Sequence, residues 1–231
     1  MLSDTTRMEV LMCKMETKNS TVLLDFYFEI FNRKKRKKFK KENANIQGNP
    51  IVFFGDSITD RCDLEKFYPG KNAINRGISG NTVTDLINRI DVSVCGAHPS
   101  KVILLVGIND MMNVKKTPQE TAECYEMLLM RLRNKCGNIP IICQSIYPGY
   151  DAAKNKKNKG MIFPLGGLAQ NIVDLNEKIR EMCKKYECTY VDVHSKLRLE
   201  DNTMKPTYSD DGCHPNESGY RVVSKCLMKY L

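Results

Sequence analysis

The sequence has no tryptophan, only three histidines and no long hydrophobic segment. The best apolar candidate, residues 22–31, is interrupted by Asp25 and Glu29, so nothing approaches the ~20 residues of a membrane-spanning helix. Fourteen glycines and nine prolines in 231 residues exclude a collagen-like or low-complexity chain. A basic start followed by an apolar stretch and a small-residue cleavage site is lacking as well. We therefore expect no secretory signal and a cytoplasmic location.

Cysteine is abundant, but its spacing matches no metal site. The ten cysteines include no C-x-x-C pair, and none is grouped with histidine at the spacing of zinc ligands. In a reducing compartment a free cysteine packs as a small hydrophobic residue, which is what we expect for most of them. Nucleotide-binding loops of the G-x-G-x-x-G or Walker A type are missing too.

The positive charge is concentrated in one segment. The net charge is +9, and residues 33–41 hold eight basic residues, which leaves +1 for the remainder. The body of the protein is therefore not a nucleic-acid-binding surface, and we expect no nucleic acid partner. The basic run itself has three interpretations: a solvated helix face, a peripheral contact with an anionic membrane, or a nucleic-acid or nuclear-import segment.

Residues 1–45 are predicted to be an N-terminal extension, with a disordered start followed by a basic amphipathic helix. Ser20 or Thr21 can cap this helix, and the basic run continues it to Asn43. Its apolar stripe consists of Leu23, Leu24, Tyr27, Phe28 and Phe31. We expect the stripe to pack on the domain formed by residues 46–231 or on a partner subunit.

The remaining sequence alternates between short apolar strands and amphipathic helices. Strands are predicted at residues 51–54, 72–75, 101–106, 139–146 and 188–193, and helices at residues 82–94, 118–135, 168–186 and 216–231. Continuously apolar strands that alternate with helices are typical of a parallel sheet covered on both faces. The sequence therefore predicts a single three-layer α/β/α domain with a five-stranded parallel sheet.

Polar segments follow the strands at the sheet edge where ligands bind in such folds. They are residues 55–59, 76–82 and 107–110, joined by residues 210–215 before the last helix. Together they hold a serine, a glycine-rich turn, an amide and an Asp/His pair. These are the components of acyl transfer: a nucleophile, oxyanion donors, and a base with an orienting carboxylate.

Ser57 is the candidate nucleophile because it stands at a strand-to-helix turn, where free N–H groups favour an oxyanion. His214 is the candidate base. Asp211 lies three residues before it, so a tight turn can place the carboxylate on one ring nitrogen and leave the other for Ser57. The competing interpretations are a helix cap for Ser57 and a surface turn for the Asp-x-x-His segment.

Gly80 and Asn109 are candidate oxyanion donors. The N–H of a glycine can approach a substrate closely because no side chain intervenes. The Asn109 amide follows the most hydrophobic strand and can donate without titrating. Each residue also fits an ordinary turn.

Four other residues were weighed for the same roles. Ser79 lies in a sequence that resembles a nucleophile elbow but lacks its last glycine, so we interpret it as a turn residue. His98 precedes a strand and is expected at the wrong sheet edge, and His194 is interpreted as structural. Cys213 is interpreted as a packing residue.

The four polar segments resemble, in order and separation over residues 51–231, the four blocks of the SGNH hydrolases, also called GDSL esterases and lipases. The first block reads Gly-Asp-Ser-Ile-Thr here, with isoleucine in place of the leucine that gave the family its nickname. The resemblance implies a flavodoxin-like strand order and a serine hydrolase that needs no metal or organic cofactor.

The resemblance also implies site residues. It makes Ser57, His214 and Asp211 the catalytic triad. It assigns the oxyanion hole to the backbone N–H groups of Ser57 and Gly80 and to the side-chain amide of Asn109.

The expected activity is hydrolysis of short-chain acyl esters, above all acetyl esters, of a small-molecule, carbohydrate or lipid substrate. The preference for short chains is inferred from small and polar residues near the site: Asp60, Asn81, Thr82 and Asn113. Two alternatives remain open. One is a lysophospholipase-like acylhydrolase, and the other is a non-catalytic interaction protein that works through its basic helix. The sequence does not indicate the oligomeric state.

Residues 147–167 form a long connection after the fourth predicted strand. Long loops in compact domains are usually functional or disordered. Because this one leaves the same sheet edge as Ser57, we expect it to form one wall of the site without supplying a triad member. Candidate apolar contacts to the substrate are Tyr147, Tyr150, Met161, Ile162 and Phe163.

Overall fold

A five-stranded parallel sheet forms the centre of the structure, a computed structural model that describes residues 18–152, 163 and 165–231, with side chains from residue 29 onward. Its strands are β1 (Ile51–Gly55), β2 (Ala73–Gly77), β3 (Lys101–Leu105), β4 (Ile141–Gln144) and β5 (Thr189–Val191). Their order is β2-β1-β3-β4-β5, and every neighbouring pair is parallel. The predicted fold class and flavodoxin-like order are confirmed.

Helices pack on both faces of this sheet. In the described residues they are α1 (Lys18–Asn43), α2 (Ser57–Asp60), α3 (Leu64–Phe67), α4 (Val83–Asn88), α5 (Ile90–Ser93), α6 (Ile108–Met112), α7 (Pro118–Cys136), α8 (Ala169–Lys185), α9 (His194–Leu197) and α10 (Glu217–Leu227). Neighbouring side chains of β1 show the two faces. Phe53 contacts the Tyr68 ring beyond α3, whereas Phe54 packs under the Arg89 guanidinium beyond α4. Two-sided covering explains why the central strands are continuously apolar.

The predicted helix at residues 82–94 is in fact two helices, α4 and α5, that meet at Arg89. There the backbone leaves the helical conformation, with φ −124° and ψ 14°. The Arg89 side chain turns inward, is 2% exposed, and donates to the carbonyl oxygens of Gly55 and Arg76 and to the Asn81 side chain. A buried guanidinium needs such partners because its charge has lost water. Amphipathic spacing alone did not reveal this break.

The second half of α1 packs on the domain beside β2. Phe31 and Phe39 are buried in a cluster with Ile78, and Arg76 of β2 stacks on the Phe39 ring at 4.6 Å. Arg76 also pairs with Glu42 of α1 at 2.6 Å. Except for Phe31, the predicted apolar stripe lies outside the described side chains. The division at residues 45 and 46 stays a prediction.

The basic run of α1 is a solvated helix face for the most part. Six of its eight cations are exposed: Arg33, Lys34, Lys37, Lys38, Lys40 and Lys41. Neither α1 nor any other helix in the described part combines the length and apolar character needed to cross a bilayer.

Replacing Arg89 should destabilise the fold. Arg89→Met leaves the Gly55 and Arg76 carbonyl oxygens without their donor, and each such buried group costs about 1–3 kcal/mol. We therefore expect the free energy of unfolding, measured by urea denaturation, to fall by about 2–5 kcal/mol. The control is Arg131→Met on α7, an exposed arginine. An Arg89→Met protein as stable as the control would contradict this account.

Candidate active site

Ser57, His214 and Asp211 meet at the carboxyl edge of the sheet. The Ser57 Oγ lies 2.8 Å from the His214 Nε2, although 157 positions separate the two residues in the chain. The His214 Nδ1 lies 2.7 Å from the Asp211 Oδ2. Serine hydroxyl, imidazole and carboxylate therefore form one continuous hydrogen-bonded chain.

The turn between β1 and α2 presents Ser57. The Asp56 side chain accepts from the Ile58 N–H at 3.0 Å and caps α2, so the next residue, Ser57, begins the helix. A Cβ on Gly55 would lie 2.2 Å from the Thr59 Oγ1 and 2.4 Å from the Leu105 carbonyl oxygen. The glycine before Asp56 is therefore required by close packing between β1, α2 and β3.

A local turn orients the Asp211 carboxylate. Its Oδ1 accepts from the backbone N–H groups of Cys213 at 2.9 Å and His214 at 2.8 Å, which leaves Oδ2 for the imidazole. Gly212 lies inside this turn with φ +88°, and a Cβ there would lie 2.3 Å from the Tyr150 carbonyl oxygen. The three-residue spacing from Asp211 to His214 is thus built by the turn itself.

The two candidate oxyanion residues lie on neighbouring segments. Gly80 has φ +82°, a conformation that favours glycine, and it follows β2. Asn109, in α6, donates its Nδ2 to the Asn81 carbonyl oxygen at 3.0 Å, while its Oδ1 accepts from Asn113 at 3.0 Å. These contacts fix the amide with its donor side toward the Gly80 turn. One Nδ2 hydrogen binds Asn81, and an amide nitrogen carries a second.

Burial and charge keep His214 neutral. Burial lowers the His214 pKa below 6.5, the Asp211 hydrogen bond opposes this, and the Arg61 guanidinium lowers it further. Burial would raise the Asp211 pKa, but its hydrogen bonds with the His214 ring and with backbone N–H groups lower it to about 2. At neutral pH the pair is thus a neutral imidazole beside a carboxylate.

Asp56 is the other unusual carboxyl group here. It is fully buried, and its Oδ2 has no hydrogen-bond partner within the described residues. Burial raises the Asp56 pKa to about 7, although the hydrogen bond from the Ile58 N–H acts to lower it.

Two residues beside His214 were missed or only partly anticipated by sequence reasoning. The edge of the Phe163 ring faces His214, with 5.1 Å between ring centroids. Phe163 had been named as a possible substrate contact in the loop. Arg61, whose Nη1 lies 3.6 Å from the Asp211 Oδ2, was not singled out because a lone arginine after a helix carries no motif.

The long connection at residues 147–167 is described only at its two ends. Residues 153–162 and 164, which include Met161 and Ile162, lie outside the described residues. Tyr147 and Tyr150 are buried, with 3% and 8% exposure, and the Tyr150 hydroxyl donates to the Ser209 carbonyl oxygen. Tyr150 therefore supports the Asp211 segment, whereas the Tyr147 hydroxyl donates to the Gln144 Oε1, and neither buried ring offers an open contact to substrate.

The rival residues lie apart from the hydrogen-bonded chain. Ser79 binds the Asp60 carboxylate at 2.9 Å and no histidine. His194 begins α9, where its N–H donates to the Ser145 Oγ. His98 precedes β3 at the opposite sheet edge, and Cys213 is buried. In the part of the chain that the structure describes, no three His, Cys, Asp or Glu side chains cluster as metal ligands do.

The fold and this arrangement define a class: a doubly wound α/β protein with serine, histidine and aspartate joined at the carboxyl edge of its sheet. The profile of the GDSL-like Lipase/Acylhydrolase family matches residues 53–222, most of the chain. The chain belongs to this family, whose members are hydrolases that act on ester bonds.

Solved structures of other proteins share this fold. A candidate platelet activating factor from Streptococcus pneumonia superimposes with a TM-score of 0.80 at 24% identity, covering 93% of this chain and 99% of that one. A GDSL-like lipase from Bacteroides thetaiotaomicron gives a TM-score of 0.70 at 24% identity, with 84% and 96% covered. These two likenesses concern the fold.

One curated relative is similar in sequence over a shorter region. It is an acetylxylan esterase from Geobacillus stearothermophilus, 34% identical over 90 residues. The match covers 28% of this chain and 41% of that enzyme, so the chain matches less than half the length of this relative.

The pKa of His214 can be measured directly. NMR titration of the ring resonances, assigned with His214→Asn, should give a pKa below 6.5. Because the folded pKa is lowered, the ring is neutral above it and gains its proton only as the pH falls through it. Arg61→Gln should raise the pKa, since it removes one cause of the lowering.

The control for this titration is Arg131→Gln, which removes an exposed charge on α7. An unchanged His214 pKa in Arg61→Gln, or a wild-type value above 6.5, would contradict the electrostatic account.

Proposed function

We propose that the protein hydrolyses short-chain acyl esters by a Ser57, His214 and Asp211 triad. The Ser57 Oγ attacks the ester carbonyl carbon while the His214 Nε2 takes the serine proton. The intermediate collapses, the C–O bond to the alcohol breaks, and the alcohol leaves with the proton from His214. Water then attacks the acyl-serine, His214 takes a proton from it, and collapse releases the acid while Ser57 regains its proton.

The observation that carries this proposal is the unbroken chain from the Ser57 Oγ to the Asp211 carboxylate, with contacts of 2.8 and 2.7 Å. A neutral imidazole with Nδ1–H directed at Asp211 presents its Nε2 lone pair to the serine hydroxyl. The N–H groups of Ser57 and Gly80 and the Asn109 amide are proposed to hold the oxyanion.

Two observations support a short acyl group. The segments beside the proposed oxyanion hole carry polar side chains, among them the half-buried Thr82 and the exposed Asn113. The sequence relative named above is an acetylxylan esterase. We therefore propose an acetyl ester, with an acetylated carbohydrate as the first class to test. The nine cysteines in the described part are free thiols, which fits action in the reducing cytoplasm.

Removing the nucleophile tests the triad. Ser57→Ala should lower kcat on p-nitrophenyl acetate by a factor of about 10⁴ or more, as in serine hydrolases that lose a triad serine. The fold should persist, because the hydroxyl leaves little space and Ser57 lies at the edge of the sheet. Ser195→Ala, at an exposed serine of α9, is the control, and it should retain most of the activity. Full activity in Ser57→Ala together with its loss in Ser79→Ala would assign the nucleophile to Ser79.

A series of p-nitrophenyl esters tests the acyl preference. kcat/KM should be highest for acetyl and propionyl esters and should fall by at least about tenfold at octanoyl, because polar side chains beside the site make few favourable contacts with added methylenes. Higher efficiency on octanoyl or longer esters would favour the lysophospholipase-like alternative. Acetylated xylo-oligosaccharides, measured by acetate release, test the proposed substrate class.

We also propose that the outward face of α1 contacts anionic lipid. Three of its exposed lysines, Lys34, Lys37 and Lys41, are spaced along one side of the helix. Both aromatic rings among the described side chains of α1, Phe31 and Phe39, point inward, so neither offers a surface on which bases could stack. Ile30, which is 39% exposed, adds an apolar contact suited to a bilayer surface.

Vesicle sedimentation tests this contact. The protein should bind phosphatidylcholine vesicles that contain phosphatidylserine, and binding should weaken with salt. The triple variant Lys34→Gln, Lys37→Gln, Lys41→Gln should bind roughly a hundredfold less tightly, since each basic residue contributes roughly 1 kcal/mol at an anionic surface.

The matched control removes three exposed lysines elsewhere, Lys184, Lys225 and Lys229. Equal losses of vesicle affinity in both triple variants would show that net charge alone governs binding, and this result would contradict a specific contact by α1. Binding of duplex DNA in preference to vesicles would replace the lipid proposal by nucleic-acid binding.

A further inference from the structure

We infer that α1, which lies outside the region that matches the family, positions the oxyanion hole of this protein. The family match begins at residue 53, whereas α1 ends at Asn43. The inference rests on the proposed esterase function, since it concerns the turn that carries Gly80. That turn, residues 78–81, is here called the 78–81 turn.

The first link from α1 runs through Asp60. The Lys35 Nζ donates to the Asp60 Oδ1 at 2.5 Å, and the Asp60 Oδ2 accepts from both the Ser79 Oγ at 2.9 Å and the Ser79 N–H at 3.3 Å. Asp60 is also the last residue of α2, the helix that begins with Ser57. One carboxylate therefore joins the nucleophile helix, the 78–81 turn and α1.

The second link runs through Asn81. Its Nδ2 donates to the Asn32 Oδ1 at 2.7 Å, and its Oδ1 accepts from the Arg89 Nε at 2.7 Å. Its carbonyl oxygen accepts from Asn109, the second proposed oxyanion donor. Asn81 is only 1% exposed, so water does not compete for these bonds. Asn32 of α1 thus fixes Asn81, which follows Gly80 in the chain and accepts from the Asn109 amide. Asn81 is therefore linked to both of these proposed oxyanion donors.

Packing completes the contact. Ile78 is fully buried, and its cluster contains Phe31 and Phe39 of α1. Residues 78, 79 and 81 are therefore each held by α1, directly or through Asp60, while Gly80 between them keeps φ +82°. A turn held at three of its four residues has little freedom to move the Gly80 N–H away from an oxyanion.

The position of Lys35 separates it from the rest of the basic run. Its side chain is 24% exposed and paired, whereas Lys34 and Lys37 on the same helix are exposed. Asn32 and Lys35 are one helical turn apart and face the domain together. The remaining exposed cations do not share this role, which gives the experiment its matched control.

The test compares variants that remove the links with variants that keep them. Lys35→Met and Asn32→Leu remove the donor and the acceptor, whereas Lys35→Arg and Asn32→Asp retain them. Lys40→Met, at an exposed lysine of α1, makes the same change of charge and size as Lys35→Met without touching the turn. The maximal rate on p-nitrophenyl acetate is divided by the concentration of sites titrated with a fluorophosphonate to give kcat, so that unfolded protein does not count, and KM is read from the same saturation curves.

We expect the double variant Lys35→Met, Asn32→Leu to lose about 10- to 100-fold in kcat with KM changed less than about threefold, because the oxyanion exists only in the transition state and a lost donor costs ~10²–10³. Lys35→Arg and Asn32→Asp should restore most of the rate. Should the double variant not fold, each single variant carries the test, with a loss of roughly three- to tenfold expected.

A kcat per titrated site within twofold of that of Lys40→Met, for both single variants, would overturn the inference. So would a loss that Lys35→Arg and Asn32→Asp do not repair. Failure of the proposed function gives a different result: the wild-type protein itself would neither hydrolyse the ester nor react with the fluorophosphonate at Ser57.

Discussion

The site depends on one constraint: parallel strands all end at the same edge of the sheet. β1 delivers Ser57, β2 leads to Gly80, and β3 leads to Asn109, because the register aligns Gly55 with both Gly77 and Leu105. The sheet therefore brings together groups that are far apart in the chain. Of the candidate site residues, only His214 and Asp211 do not come from a segment that follows a strand of the sheet. The short turn between them holds their two side chains together.

Buried polar groups hold this edge in place, and each needs its partners. Arg89 ties the ends of β1 and β2 to Asn81, and burial lowers its pKa to about 9. Asp60 ties α2 to the turn after β2, and Lys35 supplies the opposing charge. Buried polar networks of this kind rigidify a structure when fully satisfied. Arg89, Asp60 and Asn81 thus hold in place the strand ends and the turn that lie beside Ser57.

Sequence reasoning predicted the fold, and it predicted residues that the structure brings together at one sheet edge, for a physical reason. Strands buried on both faces must be continuously apolar, so β1 and β3 stand out, and polar residues directly after them mark the functional edge. The short spacing from Asp211 to His214 is local and therefore visible in the chain. The division of the helix at Arg89 was not visible, because it follows from where one guanidinium finds its acceptors.

The role of α1 was hidden in the same way. Eight basic residues within nine positions indicate only a concentration of charge, whereas the structure distinguishes them by direction: Lys35 turns toward Asp60, and Lys34 toward solvent. Asn32 belongs to no sequence motif, and its proposed role follows only from its hydrogen bond with Asn81. Interactions between segments that are distant in sequence leave no local pattern, so they must be found in the structure.

The central claim is that His214 activates Ser57 as the nucleophile, and covalent labelling tests it most directly. Reaction with a fluorophosphonate followed by peptide mass spectrometry should place one adduct on Ser57, and His214→Asn should slow the labelling by a factor of about 10³ or more, since the base is gone. An adduct on another residue, or equal labelling rates in the wild-type and His214→Asn proteins, would contradict the account.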